Sequence, residues 1–182
     1  TPGKLTIATG DIAYYPYVID DDPSSGEGFE SAVAYAIAEE LGFAPEDVEW
    51  ERTSFEAAIA PGPKSFDFNI QTLQEVVEPT TAPQLFGSNE DVVAALNAGQ
   101  IDAFVIDLPT AYLATAMYIE DSFIVGELPA GGIPDEWGVV LPKDSALTES
   151  VSAALDKLRE DGTLAEITDE WLGAGQGVTL LQ

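Results

Sequence analysis

"ESAVAYAIAEEL", Glu30–Leu41, is the stretch from which the fold is read. Val33, Ile37 and Leu41 recur at four-residue spacing, which puts them on one face of a helix. Gly42 follows, and glycine ends a helix because it takes the left-handed conformation without a Cβ clash. Upstream, "KLTIAT" (Lys4–Thr9) alternates and is rich in β-branched residues, the pattern of a strand. Downstream, "VEWERT" (Val48–Thr53) reads the same way. Strands alternating with helices predict an α/β fold with a largely parallel sheet, since parallel neighbours are joined through a crossover.

The alternation continues along the chain. "YYPYVIDDD" (Tyr14–Asp22) predicts a loop and a strand, with a turn in "DDPSSGEG". Ser54–Ala60 reads as a short helix stopped by "PGP", and "FDFNIQ" (Phe66–Gln71) as a strand. Thr72–Val77 is a short helical piece. Ser88 opens a better helix, with Asp91 in capping-box position and Gly99 as its stop. "AFVIDLPTAY" (Ala103–Tyr112) reads as a strand buried on both faces, running into a helix with Pro109 in its first turn. "FIVGEL" and "EWGVVLP" read as strands around the loop "PAGGIPD". Ser145–Glu160 is a long amphipathic helix, and "DGTLAEITDEWLG" a last one with Thr163 capped by Glu166. No internal repeat is visible.

Composition narrows the chemistry. The chain has 182 residues, enough for one large or two small domains, and 46% of them are hydrophobic, enough for a core. It has no cysteine and no histidine, which excludes disulfides, thiolate sites and Ser-His-Asp or Cys-His catalysis within the chain. Thirty-three acidic residues against six basic ones give a net charge of −27. Nucleic acid and anionic lipid are poor partners for that charge. It reads as a solvated acidic surface facing salt or an extracytoplasmic medium, or as a field attracting cationic ligands. No apolar run reaches transmembrane length. No signal peptide is visible, as expected either of a processed mature chain or of a trimmed one. "DDDPSSGE" (Asp20–Glu27) lacks the spacing of a calcium loop and reads as a solvated hairpin loop. "GAGQG" (Gly173–Gly177) lacks the lysine of a phosphate loop and reads as a flexible tail. No metal and no cofactor are expected.

Four motifs in order carry a resemblance: Asp11-x-x-Tyr14-x-Pro16-Tyr17, "GEGFE" (Gly26–Glu30), "GQIDAFVIDLPTA" (Gly99–Ala111), and the segment Trp137–Gly173. Together they resemble the polar amino-acid solute-binding proteins of ABC importers, the bacterial extracellular solute-binding family 3 with the type II periplasmic-binding-protein fold. The likeness runs along nearly the whole chain. It implies two α/β lobes that close on a ligand: residues 1–71 plus 136–182, and residues 72–135. The second lobe is expected to be incomplete. After Gln71 the family pattern continues with a Ser-Ile-Thr-rich segment bearing an arginine that clamps the ligand's carboxylate. Here Thr72 follows directly. The jump is open to three readings: a join across residues not written, a deletion or proteolysed form, or a natural minimal relative. No other base replaces the arginine, since Lys4, Arg52, Lys64, Lys143, Lys157 and Arg159 lie in segments away from the motifs.

The resemblance assigns Asp107 to the ligand's α-ammonium, with Tyr14 and Phe55 as aromatic walls. For Asp107 the structural alternative is a cap on the helix beginning at Leu108. Tyr14 and Phe55 read equally as packing residues, and Tyr17 as core. Asp11 is placed for a cationic side chain or, alternatively, an Asx turn. Asn69 and Gln71 are polar positions at the end of a buried strand, where a ligand is one source of partners. Trp137 reads as hinge packing. No catalytic residue is expected. The implied function is a monomeric extracytoplasmic binding protein that hands a small polar amino acid, or a related amine, to a membrane permease. The literal chain, lacking the clamp, is expected to bind free amino acids weakly or not at all. The alternatives are a dehydratase-like enzyme on the same fold, which would have only carboxylates to work with, and a ligand-sensing or scaffold module.

Overall fold

The computed structural model describes residues 3–54, 70–129 and 137–173, with the backbone alone for residues 70–72. In chain order run β1 (Leu5–Gly10), α1 (Phe29–Glu40), β2 (Val48–Thr53), α2 (Ile70–Val76), α3 (Asn89–Asn97), α4 (Leu108–Leu113), α5 (Thr148–Glu160) and α6 (Thr163–Leu172). The described residues divide into two compact units: 3–54 with 138–173, and 70–129 with 137.

In the first unit β1 and β2 pair in parallel, from Leu5 opposite Val48 to Gly10 opposite Thr53, and α1 is the crossover between them. The ladder gains one more bond where Asp11 N–H donates to the Thr53 carbonyl at 2.9 Å. The apolar face of α1 is the one its spacing predicts. Ile37 is buried with Val151, Ala154 and Leu158 of α5, and Val33, Leu41, Leu155 and Leu164 pack around them. Lys157 of α5 holds both carboxylate oxygens of Glu40, at 2.5 and 2.6 Å. On β2, Trp50 meets Tyr35 of α1 edge to face at 6.0 Å, and its indole N–H donates to the Tyr35 hydroxyl at 3.3 Å. Tyr35 in turn donates to the Ser24 carbonyl at 3.2 Å, tying the turn Pro23–Ser25 to the helix.

The strand expected within Tyr14–Asp22 is instead a set of turns. The reason lies in where its carbonyls go. Tyr14 O accepts from the N–H groups of Tyr17 and Val18, which bends the chain. Pro16 O and Tyr17 O accept from Phe29 and Glu30 at 3.0 and 2.9 Å. The first N–H groups of a helix have no partner within it, and here the Pro16–Tyr17 backbone supplies one. Gly28 permits the contact: its φ is 98°, and a Cβ there would lie 2.5 Å from the Tyr17 oxygen. The segment's acceptors thus serve the helix rather than a sheet.

In the second unit Ser88 caps α3 as its sequence predicts, its hydroxyl accepting from Asp91 N–H at 3.1 Å, and Gly99 ends the turn at φ 66°. The helix at 108–118 forms as α4 followed by a π turn, Ala114–Tyr118. Val92, Ala95, Thr110, Ala114 and Ile119 are buried.

Three expected strands are not formed by the described residues. Residues 103–107 pair with no strand, and Val105 is 55% exposed. Of "FIVGEL" only Glu127 makes an isolated bridge, and residues 137–142 do not take strand structure. An apolar run states a demand for burial, whereas a strand also needs a neighbour's backbone. Ile70 and Gln71, expected at the end of a strand, open α2. At α6, Asp161 and not Glu166 satisfies Thr163, accepting from its N–H at 3.0 Å and its hydroxyl at 2.7 Å. Asp161 needs no approach from the next turn, because it sits two residues upstream. The segments 55–69, 130–136 and 174–182 lie outside the described residues, with the helix expected there, most of "FDFNIQ" and the glycine-rich tail.

Candidate functional site

The carboxyl end of β1 is where the first unit gathers chemistry. Parallel pairing sets Thr9 opposite Arg52 and Gly10 opposite Thr53, so both strands deliver their last residues to one edge. Asp11 stands just past that edge. Its backbone is held by Thr53, its side chain is exposed, and its carboxylate makes no hydrogen bond to a described residue. That geometry is not an Asx turn. Ile12 has φ 81°, a strained conformation for a β-branched residue, and is 52% exposed. Ala13 is buried, and its N–H donates to Asp21 Oδ1 at 2.7 Å. Tyr14 is half-buried, whereas Tyr15 is 50% exposed. Thr9 is buried with a hydroxyl that finds no partner among the described residues.

Arg52 joins this edge, contrary to the expectation that every base lies away from the motifs. Its Nη1 donates to Gly10 O at 2.9 Å and to Asp21 Oδ1 at 2.5 Å, and its Nη2 donates to the Asp21 carbonyl. The physical reason is the register: the residue opposite Thr9 needs only its own length to reach Gly10. The Ala13 N–H, and after it the Arg52 guanidinium, hold the Asp21 carboxyl below the usual carboxylate range.

In the second unit Asp107 is the N-cap of α4. Its Oδ1 accepts from Thr110 N–H at 2.9 Å, and Pro109 occupies the first turn. The capping reading of this residue is therefore seen directly. Gln71 lies in α2, where only its backbone is described. Phe55 and Asn69 lie outside the described residues. Asp11 and Tyr14 thus belong to the first unit, and Gln71 and Asp107 to the second. Trp137, expected at a hinge, is 62% exposed. Among the described residues no group of three acidic side chains is placed to hold a metal ion.

The family model of the bacterial extracellular solute-binding proteins, family 3, matches residues 5–174. The chain is a family 3 solute-binding protein. A search of curated proteins and of solved structures returned no match. The family is extracytoplasmic, binds small solutes and has a periplasmic-binding-protein-like fold, with which the parallel β1–α1–β2 unit is compatible. No described helix of this solute-binding protein is long and apolar enough to cross a membrane.

In this solute-binding protein Ile12, Tyr15 and Thr9 are not among the residues the sequence points to, and Arg52 is expected away from the motifs although the structure brings it to the edge. Ile12 and Tyr15 carry no signal in the sequence, because a positive φ and an exposed ring depend on how the loop is pinned. Thr9 had a faint one: a hydroxyl at the inward-facing end of an apolar strand demands a partner. Arg52 was findable, since two parallel strands of equal length bring their carboxyl ends together.

Proposed function

We propose that this protein captures a small polar amino acid or a related amine and delivers it to an ABC permease. The family match along residues 5–174 carries the reading, with the exposed Asp11 carboxylate beyond β1 and the Asp107 carboxylate ahead of α4 as the groups to meet a cation. Asp107 takes the ammonium by a charge-assisted hydrogen bond, which is directional and strong. Tyr14 and Phe55 flank the side chain, Asp11 meets any second cationic group, and Asn69 and Gln71 supply polar contacts. The lobes are residues 1–71 with 136–182, and 72–135. Ligand binding shifts their population toward a closed form that the permease recognises. The division of the described residues into two compact units supports two lobes.

Electrostatics favours the amine end of the ligand. The net charge of −27 draws cations toward the surface. Arg52, the described base at the edge beyond β1, is already committed to Gly10 and Asp21. Affinity for a free amino acid is therefore weak, and removing its carboxylate does not weaken binding further. Titration calorimetry with the common amino acids and with the corresponding amines lacking the α-carboxylate tests this. Binding of an amine at least as tight as its amino acid is the expected outcome. Heat from no amine-bearing compound, or a preference for anions without an amine, overturns it.

A further inference from the structure

We propose that Arg52 is the positioning residue of the loop that follows β1, and that it sets the placement of Asp11 and Tyr14 without touching ligand itself. The part concerning ligand rests on the functional reading above. The loop's own geometry is independent of it.

The loop leaves β1 at Gly10 and is buried again at Ala13. Both points are gripped by one node. Arg52 holds the Gly10 carbonyl at 2.9 Å, and Asp21 holds the Ala13 N–H at 2.7 Å. Arg52 and Asp21 are themselves joined twice, through the Asp21 carboxylate and its main-chain carbonyl. Asp11 and Ile12 are what lies between the two grips. An ordinary surface ion pair contributes little and specifies little. This one differs because two of its three acceptors are backbone carbonyls, one at the end of β1 and one in the turn at Asp21, so the guanidinium dictates where main chain goes.

Backbone conformation supplies a second, independent observation. Ile12, Asp20 and Asp21 all take positive φ, at 81°, 51° and 55°. Non-glycine residues avoid that region, and such conformations persist only where surroundings over-determine them. All three lie at or beside the Arg52–Asp21 node. A planar fork with several donors in fixed directions suits such a joint, whereas a lysine offers a compact point charge. The fork also explains the residue type. One of the chain's six bases is spent here on two carbonyls and a carboxylate, at the edge where the site is expected.

The test uses the full chain with Arg52→Met, Arg52→Lys and Asp21→Asn. Amide hydrogen exchange is followed at Ala13 and its neighbours and at core positions of α1 and α5. Calorimetry uses the amino acids and amines named above. In Arg52→Met the Ala13 amide exchanges at least tenfold faster while α1 and α5 core amides keep their rates, and affinity for the best-bound amine falls about tenfold. Arg52→Lys restores part of both. Asp21→Asn, which keeps an acceptor, moves both in the same direction and by less, and it decides the matter if the methionine variant does not fold. Unchanged exchange at Ala13 overturns the proposal. So does faster exchange with unchanged affinity, which would make the node structural only. If the wild-type protein binds no amine, the functional reading fails by itself, and exchange at Ala13 still decides whether Arg52 holds the loop.

Discussion

Asp107 caps α4, and in the function proposed above the same carboxylate meets the ligand, so substitutions that separate the two roles test the proposal. Asparagine caps as well as aspartate but carries no charge. Asp107→Asn therefore keeps its unfolding midpoint in urea while affinity for an amine drops on the order of tenfold, the worth of a charge-assisted bond. Asp107→Ala loses about 1 kcal/mol of stability as well, from the Thr110 N–H left without its cap. An asparagine variant that binds amines unchanged would remove Asp107 from the proposed ligand contact. Asp21 makes a pH prediction. Its carboxyl is lowered from the ordinary 3.8, first by the Ala13 N–H and then by Arg52. A lowered value means the folded state prefers the charged form, so this contribution is complete above about 3.8 and is lost as pH falls through the lowered value. The Ala13 amide resonance is expected to titrate below pH 3.8 and to stay flat through neutrality.

At the scale of elements, α1 depends on two different kinds of contact. One is its apolar face against α5, legible from the spacing of Val33, Ile37 and Leu41. Leu158→Ala leaves a cavity against that face and is expected to cost about 2–5 kcal/mol in urea denaturation. The other is its amino end, capped by the Pro16 and Tyr17 carbonyls, which no local spacing announces. Gly28→Ala drives a Cβ against the Tyr17 carbonyl at a positive φ, and is expected to lose more than about 1 kcal/mol. A neutral Gly28→Ala would mean that the turn and the helix end move apart freely. Ser88 gives the contrast: a cap of Ser with Asp three residues on is wholly local, and it forms as read.

The whole molecule carries 33 acidic residues against six basic ones, and such a charge repels itself in the compact state. Among the described residues four of those bases sit in ion pairs: Lys4 with Asp47, Arg52 with Asp21, Lys157 with Glu40, and Arg159 with Asp156. Each pair offsets one negative charge and leaves the excess in place. Added salt shortens the screening length from about 10 Å at 0.1 M to about 3 Å at 1 M, which weakens repulsion among exposed carboxylates. Melting temperature is expected to rise with sodium chloride over that range. A fall would show that the four pairs, and not the net charge, dominate the electrostatics. The same titration weakens amine binding if the acidic field assists capture, and leaves it unchanged if a dry contact at Asp107 supplies the affinity.

Family membership, the β1–α1–β2 unit, the buried face of α1 and the Ser88 cap follow from the sequence alone. Each is written in neighbouring residues: alternation, four-residue spacing, a serine and an aspartate three apart, or motifs in order. Tertiary structure decided the rest. Whether residues 103–107 find a strand partner, where the Tyr17 carbonyl is used and what Arg52 holds depend on groups tens of residues away. Hydrophobic pattern says which side of a segment seeks burial and is silent on which backbone will meet it. The candidate site divides along the same line. Asp11, Tyr14 and Asp107 stand in recognisable motifs, whereas the Arg52–Asp21 node proposed to position the loop exists only because parallel pairing carries Arg52 to the end of β1.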